Sequence, residues 1–223
     1  MPERERVREI LEEKRPLVVG AISEPGAFSV TPAGCDLIEL RLDSLGSGED
    51  VRDYARSCPV PVLATARGEA EGGLSPWSPA ERARAYRDLF PFASLIDIEL
   101  RDFDELDEVI SEARAQDIVV VGSYHDFEKT PSIEELIGNL DDRADLHKFA
   151  LMTGSADDIS SHLELIKQLG NRPFSVMGMG PMGAAARPLM AKCGSLLNYG
   201  YLGQTPTAPN QWSAKLLAET LNL

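Results

Sequence analysis

The chain has 223 residues, of which 43% are hydrophobic and 26% charged, and its formal net charge is −14. This is enough chain for one large domain or two small ones with a real core, and an acidic balance without a basic stripe excludes nucleic acid as the expected partner. No run reaches the ~18 apolar residues of a membrane helix, the charged start "MPERERVREILEEKRP" has no signal core, and 3 cysteines (Cys35, Cys58, Cys193) in no metal or redox spacing read as reduced thiols of a cytoplasmic protein.

Short β-rich runs alternate with helical patterns along nearly the whole chain. "PLVVGAI" is the first strand. The segment after it, "SEPGAFSVTPAG", is a poor helix because Pro25, Gly26, Pro32 and Gly34 interrupt it. "CDLIELRLD" is the second strand, with a polar helix near "GEDVRDYARSC". "VPVLATAR" follows, then "SPAERARAYRDLF", where Ser78 suits a cap and Pro79 the first helical turn. "SLIDIEL" precedes the helix "FDELDEVISEARAQ", and "DIVVVGSYHD" precedes "TPSIEELIGNL". "LHKFALM" precedes "SADDISSHLELIKQLG", stopped by Gly170. "PFSVMGMG" and "GAAARPLMAKCG" come next, then "SLLNYGYL" and the closing helix "QWSAKLLAETLNL". Eight strands interleaved with helices predict an α/β fold, a (β/α)8 TIM barrel in one domain over residues 1–223. A doubly wound open sheet is the alternative, but no G-x-G-x-x-G follows the first strand.

Strand side chains alternate between barrel interior and helix layer. That parity groups Glu39, Arg41 and Asp43 on the second strand, and Thr65 with Arg67 on the third. It groups Asp97 with Glu99 on the fourth and Ser123 with His125 on the fifth. On the sixth, Lys148 shares a face with Leu146, Ala150 and Met152. Charges inside a barrel are expensive unless paired. A purely structural ion-pair network explains any one of them, whereas the set, with a lysine and a histidine in it, points to a site.

Lys14, Lys167, Lys192 and Lys215 lie on helical patterns and are expected in solvent, and Lys129 lies in a loop. Lys148 is embedded in a strand, where a desolvated amine near other cations is expected to be neutral and able to attack a carbonyl. The resulting protonated imine acidifies the neighbouring carbon and needs no external cofactor. His162 is expected at a helix surface or boundary and His147 as a packed structural residue. His125 ends a strand, where a general acid or base is well placed. Glu71, in "RGEAEGG", either orients an imidazole or is a solvated loop residue. "MGMGPMGAAAR" offers either a phosphate nest or, through Arg187, a carboxylate fork. The prolines and lack of charge in "GQTPTAPNQ" suggest a mobile flap, with a plain connection as the alternative.

These motifs together, "DLIELRLD", "ATARGEAEGG", "IDIEL", "GSYHDFEKTP", "HKFALM", "MGMGPMG…R" and "TAPNQ", resemble the type I 3-dehydroquinate dehydratase family in order and spacing, from "LVVGAI" to the C-terminus. The resemblance implies a (β/α)8 barrel and Schiff-base dehydration of 3-dehydroquinate to 3-dehydroshikimate, in the shikimate pathway of aromatic amino acid biosynthesis. It implies Lys148 as the imine-forming residue, His125 as general acid and base, and Glu71 as the group orienting His125. Glu39, Arg41, Arg67, Arg187, Thr207 and Gln211 are implied as substrate-binding residues. No cofactor and no metal are expected; a homodimer is carried as an expectation, and the partner is a small molecule, with neither nucleic acid nor membrane. The chain departs from the family pattern at Asn210 (glycine is usual), Ala186 and Thr207 (serine is common) and Gly20 (serine in some members). The competing reading is another lysine-dependent lyase of the class I aldolase type acting on a phosphorylated keto substrate.

Overall fold

The computed structural model describes residues 3–208 and 210–221; Pro209, within the expected flap, lies outside the described residues. The chain opens with α1 (Glu3–Glu12), followed by β1 (Leu17–Ile22), β2 (Leu37–Arg41), the single turn α2 (Leu42–Leu45) and α3 (Glu49–Ser57). Next come β3 (Val62–Thr65), α4 (Pro79–Leu89), β4 (Leu95–Glu99), α5 (Asp107–Ala115), β5 (Val119–Asp126) and α6 (Ile133–Gly138). β6 (Leu146–Met152), α7 (Ala156–Leu169), β7 (Phe174–Met179), α8 (Gly183–Lys192), β8 (Leu197–Tyr201) and α9 (Ala214–Leu221) complete the order.

The 8 strands form one parallel sheet in the order β7-β6-β5-β4-β3-β2-β1-β8, so consecutive βα units wind into a nearly closed (β/α)8 barrel. At the β7–β8 seam, serine hydroxyls complement the backbone. The Leu196 N–H donates to the Phe174 carbonyl at 2.9 Å, while the hydroxyls of Ser195 and Ser175 accept from Val176 N–H at 3.0 Å and Leu197 N–H at 2.8 Å. The β1–β2 connection carries only a 3-10 turn, Pro25–Ser29, where its prolines and glycines left no room for a helix. Ser78 caps α4 in a reciprocal box with Glu81, and Pro79 occupies the first turn as its fixed φ allows.

Parity sorts the core into two layers. Ile38, Leu40, Ala64, Ile96, Ile98 and Val120 face the helices. Leu17, Val19, Leu37, Leu63, Leu95, Val119, Leu146 and Leu197 fill the barrel's lower interior, and Val7 of α1 packs into them from below. One strand expectation changes: β2 ends at Arg41, and Asp43 lies in α2, from where it clamps the Arg41 guanidinium. Among the described residues no helix is long and apolar enough to cross a membrane.

Candidate active site

The C-terminal ends of the strands carry a cleft of about 480 Å³ that is partly open to solvent. Glu39, Arg41, Arg67, Glu71, His125, Lys148, Arg187, Thr207 and Gln211 all line it, so the fold brings every sequence-selected site residue together. Gly72, Phe127, Ala150, Met177, Met179, Tyr199 and Ala208 complete the wall.

Lys148 stands at mid-height on β6, 4% exposed. Its Nζ is 2.8 Å from Asp97 Oδ2 and 3.9 Å from Glu39 Oε1, and lies 4.1 Å from the centroid of the Tyr199 ring. The amine expected to be neutral thus has two carboxylates beside it, Asp97 in hydrogen-bond contact and Glu39 farther off. Asp97, whose part the sequence reading had not assigned, is the hub. Its Oδ1 accepts from Arg67 Nη2 at 2.7 Å and from the Ser123 hydroxyl at 2.6 Å. Burial alone would raise the Asp97 carboxyl, but Arg67 and Lys148 outweigh it and hold it well below the ordinary range.

Arg67 is spent on the protein. It donates to Asp97 and to Ser123 Oγ at 2.7 Å and pairs with Glu99 at 3.1 Å. Glu99 in turn pairs with Arg82 of α4, which fixes the wall behind the site. Arg41 is gripped bidentately by Asp43 at 2.8 Å on both nitrogens. Glu39 accepts from Thr65 Oγ1 at 2.8 Å.

His125 and Glu71 form a dyad at the mouth. A 3-10 turn at Glu69–Glu71 ends on Gly72 with φ 85°, a left-handed conformation that favours glycine, and the chain then folds so tightly that a Cβ on Gly73 would lie 2.1 Å from the Arg67 carbonyl oxygen. This turn delivers the Glu71 carboxyl inward, 5% exposed, so the solvated-loop alternative does not hold. Glu71 Oε2 accepts from the His125 backbone N–H at 2.9 Å and lies 2.9 Å from its Nδ1. Burial pushes the Glu71 carboxyl up to about 8, against the pull of Arg67. Burial, Arg67 and Lys148 push the imidazole well below 6.5. Both directions oppose an ion pair and favour a neutral carboxyl beside a neutral ring.

Arg187 on α8 is the site's uncommitted cation. It is 4% exposed, its Nη1 donates to the Tyr199 carbonyl at 3.0 Å, its Nε has no partner, and no acidic side chain pairs with it among the described residues. Burial lowers the guanidinium to about 10, which leaves it charged at neutral pH. A buried cation without a counter-charge is costly, and an anionic ligand is the natural partner.

The nearby glycine loop is not an open phosphate nest. The backbone N–H groups of Met182, Gly183, Ala185 and Ala186 are already bonded to the carbonyls of Thr153, Gly180 and Met182. Thr207 and Gln211 form a local unit in which both the backbone N–H and the hydroxyl of Thr207 donate to Gln211 Oε1 at 2.8 Å. Asn210 adopts φ 55°, the conformation glycine would take, and its side-chain amide donates to the Gly180 carbonyl at 2.8 Å. Glu24 ties the start of this segment by accepting from Gln204 N–H at 3.0 Å.

Two family departures lie away from the cleft. Gly20 faces the helix layer, where an added Cβ would meet Leu202, Cys35 and Ile38, and Ala186 packs against Gly178. Of the other histidines, His147 is packed as expected, with its Nε2 3.1 Å from the Asp141 carbonyl. His162 is fully buried on the inner face of α7, which corrects the surface assignment. It shares the periodic face of Leu165 and Leu169, a signal the sequence held.

The type I 3-dehydroquinase family profile matches residues 25–223. A 3-dehydroquinate dehydratase of Methanocella arvoryzae is 32% identical over 93% of this chain and 96% of its own length. That of Methanothrix thermoacetophila is 33% identical, covering 93% of this chain and 92% of its own. Among solved structures, a type I 3-dehydroquinate dehydratase from Clostridium difficile superposes with TM-score 0.81 at 30% identity, covering 93% of this chain and 91% of that one. One from Geobacillus kaustophilus gives TM-score 0.82 at 25% identity, covering 93% and 90%.

Proposed function

Because the chain belongs to the type I 3-dehydroquinase family, we propose that it is a hydro-lyase that dehydrates 3-dehydroquinate to 3-dehydroshikimate through an imine on Lys148. The observation that carries this reading is a buried lysine nitrogen in the same cleft as a histidine–carboxyl dyad and an unpaired arginine. In the reaction, the Lys148 amine, having passed its proton on, attacks the ring ketone. The carbinolamine loses water to give the protonated imine, with His125 moving protons in this step. His125 then takes a proton from the carbon beside the imine, the enamine electrons expel the tertiary hydroxyl, and a proton from His125 completes the water that leaves. Hydrolysis of the imine returns the amine and releases the product.

Glu71 orients His125. Arg187 binds the substrate carboxylate by its planar fork, with Thr207 and Gln211 at ring hydroxyls. Glu39, Arg41 and Arg67 bound the ketone end, and Asp97 holds the lysine in place. The phosphorylated-substrate alternative loses support because the Met182, Gly183, Ala185 and Ala186 N–H groups of the glycine loop are already bonded within the protein. A single domain over residues 1–223, a cytoplasmic location and a homodimer complete the proposal. The decisive experiment is incubation with 3-dehydroquinate and borohydride followed by peptide mass mapping. A reduced adduct on Lys148 is expected; turnover with Lys148 unmodified overturns the imine.

A further inference from the structure

Tyr199 lies on β8 with its ring in the cleft wall, and it is 4% exposed. Its hydroxyl is buried and has no hydrogen-bond partner. Native folds rarely leave such a group unbonded, because its lost hydration is not repaid. Among the described residues the other buried orphan side-chain atoms are Tyr54 Oη, His162 Nδ1 and Arg187 Nε. Of these only Arg187 shares the cleft, so two residues lining one cavity each carry a buried, unsatisfied donor, and one of them is the uncommitted cation. Burial, with the charges of Asp97 and Glu39, pushes the Tyr199 phenol well above its ordinary value, so the hydroxyl remains a donor. The ring has a second contact: Lys148 Nζ sits over its face, 4.1 Å from the centroid.

We propose that Tyr199 contacts the substrate of this site: its hydroxyl donates a hydrogen bond to an oxygen of the bound polyhydroxy keto acid, and its ring face stabilises the positive charge on the Lys148 nitrogen, first as the paired amine and then as the protonated imine. The inference rests on the dehydratase reading and deepens it. A donor left unbonded in the empty protein destabilises that state, and the ligand oxygen restores the bond. The ring acts where charge persists on nitrogen, since an aromatic face attracts a cation most strongly when both are desolvated.

The test uses the intact protein and two variants. Tyr199→Phe keeps the ring and removes the hydroxyl; Tyr199→Leu removes both. For Tyr199→Phe the melting temperature of the ligand-free protein rises by roughly 2–4 °C. KM for 3-dehydroquinate rises roughly 3–10-fold, with kcat falling by less than KM rises. Tyr199→Leu additionally lowers the fraction of Lys148 trapped by borohydride at saturating substrate. A hydroxyl with a structural role gives the opposite stability sign, so a lower melting temperature for Tyr199→Phe overturns the proposal, as does an unchanged KM. Wild-type turnover with an unaltered Tyr199→Phe variant overturns this inference alone. Wild-type protein that leaves 3-dehydroquinate intact overturns the dehydratase reading and this inference with it.

Discussion

Asp97 and Lys148 meet across the barrel interior, Oδ2 to Nζ at 2.8 Å, although 51 residues separate them. The other oxygen of the same carboxylate accepts from Arg67 at 2.7 Å, so one anion bridges two buried cations, with Glu99 and Glu39 as further acidic neighbours. Removing one partner of such a buried network is expected to cost about 3–5 kcal/mol, because the remaining charges lose their compensation. Asp97→Asn should therefore shift the urea midpoint strongly downward at pH 7. Because the folded carboxyl is held far below its ordinary 3.8, wild type keeps this contribution at neutral pH and loses it as the pH falls through and below that value. A variant as stable as wild type at pH 7 would show that Asp97 is not the hub.

Lys148→Ala should abolish both turnover and the borohydride adduct, and Lys148→Arg should restore neither. His125→Ala is expected to lose about 10²–10⁴-fold in kcat, the range of general acid–base catalysis. Steady-state rates on purified variants rank the two roles. A smaller loss for Lys148→Ala than for His125→Ala contradicts covalent catalysis.

The Glu71–His125 pair predicts a pH signature. With the carboxyl raised to about 8 and the ring lowered, the neutral pair must shed one proton before Glu71 accepts from Nδ1–H and leaves the other ring nitrogen free as the base. kcat/KM should then rise with pH along an alkaline-shifted limb. Glu71→Gln presents a neutral acceptor at every pH and should move that limb to lower pH. The stability sign is also fixed. A raised carboxyl pKa means the folded state loses stability as pH climbs from about 4.5 to about 8, so the melting-temperature difference, Glu71→Gln minus wild type, should grow across that window. Identical pH dependence in the two proteins would sink the assignment.

Arg187 should separate affinity from stability. Arg187→Met removes a buried cation with no acidic partner, so the empty protein should melt higher, while KM for 3-dehydroquinate rises about 30-fold or more, as expected for loss of a buried charge-assisted contact at about 2–5 kcal/mol. Arg187→Lys keeps the charge without the fork and should fall between. A normal KM in Arg187→Met would place the carboxylate elsewhere.

The strands and the face each charged residue occupies were legible, since period-two alternation alone put Lys148, Arg67 and Glu39 indoors. Their partners were not. Pairing inside a barrel depends on the register of non-adjacent strands, and no local pattern encodes that for Asp97 on β4 and Lys148 on β6, which flank β5. Tyr199 is not legible as a site residue, because a tyrosine among Leu197, Tyr201 and glycines reads as ordinary core; its significance comes from an unbonded hydroxyl, which only packing reveals. Asp43 was misplaced because alternation continues through "ELRLD" while the backbone turns after Arg41. His162 had its periodic signal, but a histidine's polarity outweighed the spacing of its apolar neighbours.

Val7 of α1, seated beneath the inner leucines and valines, stoppers the barrel floor. Among the described residues the cleft thus lies at the strand ends, on the side of the barrel away from this plug. Whatever enters the cleft passes Phe127, Thr207 and Gln211, which stand in its wall.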